Sequence, residues 1–132
     1  MFESISCNTV GTVDDSSATE KAMLKMLKKF SVNVEDSRAT HLGESFVRFP
    51  FTSKRKRMSS VASNISEQRY GYDKRLHIKG AAEIILACCS HYIDDNGAEQ
   101  EMTASIKDGV LGVIEFFGTQ ALRCICVAYK DI

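Results

Sequence analysis

The sequence predicts an α+β fold, an antiparallel β-sheet flanked by helices. Three observations support this. Helical and strand-like periods follow one another in the order helix, strands, helix, helix, strand. Two strand-like runs, Phe46 to Phe51 and Met58 to Asn64, flank a single basic turn and read as an antiparallel pair. The chain has 132 residues, of which 44% are apolar, which suits one domain with one core.

The elements follow in order. Residues 1 to 13 show no clear period and read as a short edge strand or a loose lead-in. Asp14-Asp15-Ser16-Ser17 is a polar break, and a helix follows with Ser17 as N-cap and Glu20 three residues on, a capping-box pattern. Ala22, Met23, Met26, Leu27 and Phe30 recur at helical spacing and predict its inward face. Residues 31 to 43 read as a connection. In the strand that follows, Val47, Phe49 and Phe51 share one side by period two. Pro50 cannot donate to a ladder, which places this strand at an edge or at its own end. Ser66 to Gly71 is turn-like, and Asp73-Lys74 could form another turn.

Leu76 and Ile78 then alternate with His77 and Lys79, predicting a short strand with Lys79 on its polar side. Gly80 ends it. Ala82, Ile85, Leu86 and Cys89 form a helical inward face. Asp94-Asp95-Asn96-Gly97 is a turn. Thr103 caps the next helix, whose predicted inward face is Ile106, Val110, Val113, Ile114 and Phe117, with Gly118 as its stop. Leu122 to Tyr129 has the length and β-branched content of a central strand, with Arg123 at its start.

Composition narrows the function. There is no run of about 18 apolar residues, so no membrane span is expected. The first residues lack the basic-then-apolar order of a signal peptide. Formal net charge is zero. From Glu44 to Glu83, however, nine Lys/Arg stand against four Asp/Glu, a net of +5 that leaves −5 elsewhere. The middle of the chain is therefore a candidate anion-binding region. A general nucleic-acid binder is more often basic throughout. The five cysteines, an odd number without a regular framework, point to reduced thiols inside a cell. Cys88 and Cys89 stand about 100° apart on a helix and cannot easily share an ion, so no metal site is expected.

The densest chemistry lies in Phe49-Pro50-Phe51-Thr52-Ser53-Lys54-Arg55-Lys56-Arg57-Met58-Ser59-Ser60-Val61. Four consecutive cations sit behind an aromatic entrance. An aromatic face beside clustered cations suits a planar base carrying phosphates. The same cations also suit a solvated turn, or a basic module that binds nucleic acid or acidic lipid through Lys54–Arg57. Lys79-Gly80 adds a second element. Gly80 has no side chain and can leave space for a ligand beside Lys79.

These strings resemble the nucleotide-binding domain of P-type cation-transporting ATPases, most closely the plasma-membrane calcium pump branch. Four motifs fall in that family's order: Ala18-Thr19-Glu20, Phe51 to Val61, Lys79-Gly80-Ala81-Ala82-Glu83, and Leu122-Arg123-Cys124. The resemblance implies an ATP site. Phe51 would stack on adenine, and Glu20 would hydrogen-bond its amino edge. Lys79 would lie at the pocket floor beside Gly80. Lys56 and Arg123 would approach the ribose and phosphates, and Met58 would line the pocket. Each residue also has an ordinary structural explanation: a strand Phe capping the core, a capping-box Glu, exposed lysines, an Arg paired with an acid, a core Met.

The sequence departs from the family at Ser16, where a glycine is usual, and at Ala82, where many relatives carry proline. It also contains no Asp-Lys-Thr-Gly-Thr, so the aspartyl-phosphate nucleophile is missing. The expectation is thus one nucleotide-binding domain, residues 1 to 132, excised from a larger membrane pump. It would bind ATP and be catalytically inactive alone. Its partners would be the pump's phosphorylation and actuator domains, with magnesium joining in the intact protein. Neither nucleic acid nor direct membrane insertion is expected. The domain would be cytoplasmic, in a pump of the plasma membrane or another cellular membrane.

Overall fold

The computed structural model describes residues 1–63 and 72–132. The turn expected at Ser66 to Gly71 lies outside them. The described elements are α1 (Phe2–Cys7), α2 (Ala18–Lys29), α3 (Val34–His41), β1 (Val47–Thr52), β2 (Arg57–Ser63), β3 (Lys74–Ala81), α4 (Ala82–Cys88), β4 (His91–Ile93), β5 (Glu99–Glu101), α5 (Ala104–Thr119) and β6 (Ile125–Asp131). Strands β1, β2, β3 and β6 form an antiparallel sheet in that order, and β4 pairs with β5 in a separate hairpin. The α+β expectation holds, with Pro50 on an edge strand.

Local chemistry explains the helix starts. Ser17 accepts from the Glu20 N–H at the head of α2, and Thr103 accepts from the Ile106 N–H at the head of α5. Two helices depart from the expectation. The lead-in is helical as α1, and its buried run Ser4, Ile5, Ser6 and Cys7 mixes polar with apolar residues and gives no helical apolar period to read. The expected connection contains α3, whose cap Asn33 accepts from the Glu35 and Asp36 N–H groups.

Lead-in, α3 and sheet are bonded together. Asn8 Nδ2 donates to the Met58 carbonyl at 3.1 Å, and Ser60 Oγ donates to the Cys7 carbonyl at 3.2 Å. Ser4 Oγ lies 2.8 Å from His77 Nδ1. Arg38 of α3 donates to the carbonyls of Ser6, Thr9 and Gly11, which fixes the lead-in loop.

This packing reverses the faces expected for β3. Arg75, His77 and Lys79 are the buried side, while Leu76 and Ile78 are only half-buried. A polar row can be buried because partners meet it: Arg75 pairs with Asp131, His77 faces Ser4 and Glu3, and Lys79 pairs with Glu20. The inward face of α2 is also turned. Leu24 and Leu27 are buried, whereas Ala22 and Phe30 are exposed.

Three further expectations change. α5 has no buried residue, and Val110, Val113 and Phe117 are exposed. The helix passes Gly118 to end at Thr119, and the left-handed turn falls on Ala121 (φ 56°). β6 is an edge rather than a central strand among the described residues.

Gly80 has a different role from the one expected. It does not end β3 but lies within it, opposite Arg57. A Cβ there would run into the Lys56 carbonyl oxygen and would stand 2.9 Å from Arg57 Cα. The glycine admits the hairpin backbone rather than leaving space open. Lys56 is itself left-handed (φ 50°), and its carbonyl accepts from the Ala81 N–H at 3.1 Å. Gly80→Ala is expected to destabilise the fold by about 1–3 kcal/mol through this clash. Gly109→Ala, on α5 with nothing within 4 Å of its Cβ, is expected to stabilise by about 0.5–1 kcal/mol. Urea denaturation of both variants checks the contrast.

Candidate functional site

A cavity of about 1050 Å³ opens between the start of α2, the β1–β2 turn, the ends of β2 and β3, the last turns of α5 and the loop into β6. That is the scale of a small-molecule site. Its wall includes Glu20, Phe51, Lys56, Met58, Lys79, Gly80 and Arg123. All seven residues singled out in the sequence, which lie up to 103 positions apart, meet here.

Different elements supply each one. Glu20 sits on the first turn of α2, on the face it shares with buried Leu24 and Leu27. Its Oε1 accepts from Lys79 Nζ at 2.6 Å and from the Val10 N–H at 3.3 Å. The Glu20 side chain thus bridges to the sheet, rather than closing the capping box back on Ser17. Met58 and Lys79 are cross-strand partners and share a sheet face. Met58 is 4% exposed and Lys79 is 7% exposed. Burial pulls the Lys79 pKa below its ordinary value of 10.5. Glu20 opposes that shift, while Arg48 and Arg38 add to it.

Phe51 reaches the wall through an irregularity. The β1–β2 register shifts between Phe49 and Thr52, which breaks the alternation expected of Val47, Phe49 and Phe51. Arg48, Pro50 and Phe51 line the cavity; Val47 and Phe49 do not. Phe51 is 57% exposed, an unusually open position for a phenyl ring. Lys56 and Arg123 are also exposed.

The cavity is therefore polarised. Its closed end holds the Glu20–Lys79 pair, Met58 and half-buried Arg48. Its open end holds Phe51, Lys56 and Arg123. Charge alone does not sort the two ends, because Glu20 at the closed end is offset by Lys79 and Arg48. Burial does, since a multiply charged phosphate tail is costly to desolvate there, whereas the exposed cations at the mouth hold it in contact with water. A flat, mostly apolar group fits within, with an anionic tail at the mouth.

The four cations of the β1–β2 turn do not form one surface. Lys54 is exposed, and Arg55 donates to Ser59 Oγ at 3.3 Å. Lys56 lines the cavity, and Arg57 lies 3.8 Å from Cys88 Sγ.

Sequence reasoning missed several lining residues, notably Arg48, Met23, Ile114 and Leu122. For Arg48 the sequence pattern pointed the other way. Alternation on β1 places it on the face opposite Phe51, and only the register shift between Phe49 and Thr52 brings the two to one cavity.

Comparison with known proteins gives a consistent picture. Residues 7–132 match the family model described as "P-type ATPase, cytoplasmic domain N". The chain is similar to "Calcium-transporting ATPase 3, plasma membrane-type" of Oryza sativa subsp. japonica, at 32% identity over 143 residues covering 100% of this chain and 13% of that protein. It resembles "Calcium-transporting ATPase 10, plasma membrane-type" of Arabidopsis thaliana at 28% identity over 139 residues, covering 98% of this chain and 12% of that protein. "Calcium-transporting ATPase 9, plasma membrane-type" of Arabidopsis thaliana is 34% identical over 116 residues, 86% of this chain and 10% of that protein. The chain thus spans only a small part of the length of these relatives.

The buried Lys79 yields a prediction in pH. Its cation is disfavoured by burial, so its neutral amine should appear at lower pH than the ordinary lysine value of 10.5 implies. Glu20→Gln removes the contribution that opposes burial, and should lower the Lys79 titration midpoint further. Carbon-detected NMR titration of the Lys79 Cε resonance in the native chain and in Glu20→Gln measures both midpoints.

Proposed function

The chain belongs to the family of the cytoplasmic N domain of P-type ATPases, and from that premise we propose that it binds ATP in the cavity beneath Phe51. The supporting observation is that one cavity of about 1050 Å³ gathers Glu20, Phe51, Lys56, Met58, Lys79, Gly80 and Arg123. Adenine lies against the Phe51 ring, with Met58 below it. Glu20 Oε1 already holds Lys79, so the other carboxylate oxygen accepts from the exocyclic amine. The ribose and phosphates run outward past Lys56 and Arg123. Lys79 holds Glu20 in orientation, and its ammonium offsets the carboxylate at the cavity floor.

We propose further that the chain is one nucleotide-binding domain of a larger calcium-transporting pump of the plasma-membrane type. In the whole protein it would present the γ-phosphate to a separate phosphorylation domain, alongside an actuator domain. Positioning dominates phosphoryl transfer, so holding the base and steering the tail is a catalytic contribution. Magnesium would arrive with the triphosphate in the whole pump, since no cluster of three His, Cys, Asp or Glu among the described residues could hold it. The cavity's carboxylates are Glu20, engaged with Lys79, and exposed Glu83. Without a phosphorylatable aspartate motif in this sequence, the chain should bind ATP and release no phosphate from it.

Stacking of an aromatic on a base is worth roughly 1–3 kcal/mol. Phe51→Ala should therefore weaken ATP about 5- to 150-fold without unfolding the chain. Lys79→Ala should weaken ATP more than Lys54→Ala, which removes the same charge from the exposed turn. Calorimetric titration of the three variants tests the reading. Unchanged affinity in a folded Phe51→Ala chain would refute stacking.

A further inference from the structure

We propose that Arg48 is a further base-contacting residue, whose guanidinium donates a hydrogen bond to the ring nitrogen beside the adenine amino group. This rests on the reading of the cavity as an ATP site.

Arg48 belongs to β1 and lines the closed end of the cavity. A guanidinium carries five N–H donors in a planar fork. Among the described residues only one of its nitrogens has an acceptor: Nη2 donates to the Thr9 carbonyl at a long 3.4 Å. Nε is buried with no acceptor among those residues. One face of the group lies over the Phe46 ring, 4.8 Å from its centroid. Stacking satisfies a face of the guanidinium and leaves its donor edge unspent. Buried donors without acceptors are rare in native proteins because each one costs free energy. An acceptor arriving in the cavity would remove that penalty.

The neighbours limit what the acceptor can be. Glu20 and Lys79 are close enough to interact electrostatically with Arg48. Lys79 already occupies Glu20 Oε1. A phosphate tail is costly to bury at that end, and exposed Lys56 and Arg123 hold it at the mouth in contact with water. What enters the closed end is the base edge. Adenine presents a donor, its amino group, flanked on either side by an acceptor, N1 or N7. Glu20 matches the donor, and Arg48 beside it matches one of the flanking acceptors. The pair then reads amino-plus-nitrogen as one pattern.

The test compares ATP with 1-deaza-ATP and 7-deaza-ATP, each lacking one of those nitrogens. The native chain should bind one analogue about tenfold or more weakly than ATP, the scale of a hydrogen bond to a charged group. In Arg48→Ala that preference should fall to near unity. Arg48→Met keeps the stem and removes every donor, so it serves if the alanine variant does not fold, and should lose the same preference. Amide spectra of both variants report the fold. If the native chain binds ATP and both analogues equally, the proposal fails. It also fails if a folded variant keeps the native preference, or weakens all three ligands equally. No ATP binding by the native chain would overturn the ATP reading itself and this inference with it.

Discussion

The ion pair between Glu20 and Lys79, at 2.6 Å, joins the first turn of α2 to the end of β3. Both side chains are mostly shielded from water, at 15% and 8% exposure. Burying either charge alone is costly, so each depends on the other. Removing one partner of such a pair typically destabilises by about 3–5 kcal/mol, because the survivor is left charged and unpaired. The pair also sets geometry. It turns α2 so that Glu20, Leu24 and Leu27 point inward, and it fixes which side of β3 faces the helices.

The rest of the site follows from that constraint. With α2 held against the β3 end, the β1–β2 hairpin can close over the cavity only if its backbone passes tightly across the sheet. Gly80 allows that passage, and left-handed Lys56 makes the turn. The register shift before Thr52 then brings Phe51 round to the cavity wall. Glycine, turn and bulge thus work as one device that puts an open phenyl ring opposite an ionised floor. The result is a site with directional chemistry: hydrogen-bonding groups at its closed end, cations at its mouth, apolar walls between.

Much of this was legible in the sequence, for physical reasons. Ser17 and Thr103 are capping residues that act over three positions, and local patterns of that kind survive into the fold. Pro50 forbids a ladder donor and so marked an edge strand. The seven candidate residues were legible through the resemblance and its motif order. What failed was whatever depends on a distant partner. Leu76 and Ile78 looked like the inward side of β3, but Arg75, His77 and Lys79 are inward because Asp131, Ser4, Glu3 and Glu20 meet them. Nothing near residue 77 announces that. α1 was invisible because its buried residues mix Ile5 and Cys7 with two serines, and its hold on the sheet is polar, through Ser4, the Cys7 carbonyl and the Asn8 cap. α3 did carry its signal, an Asn33 cap followed by two acids. The apolar face of α5 predicted burial that the described residues do not provide.

The central claim is that a purine lies between Phe51 and the Glu20–Lys79 floor. Intermolecular nuclear Overhauser effects on the ATP-bound chain test it directly. The account predicts contacts from adenine H2 or H8 to the Phe51 ring and the Met58 methyl group, persisting at high salt. Base contacts absent from those two side chains, with shift changes confined to Lys54–Arg57 and erased by salt, would contradict it.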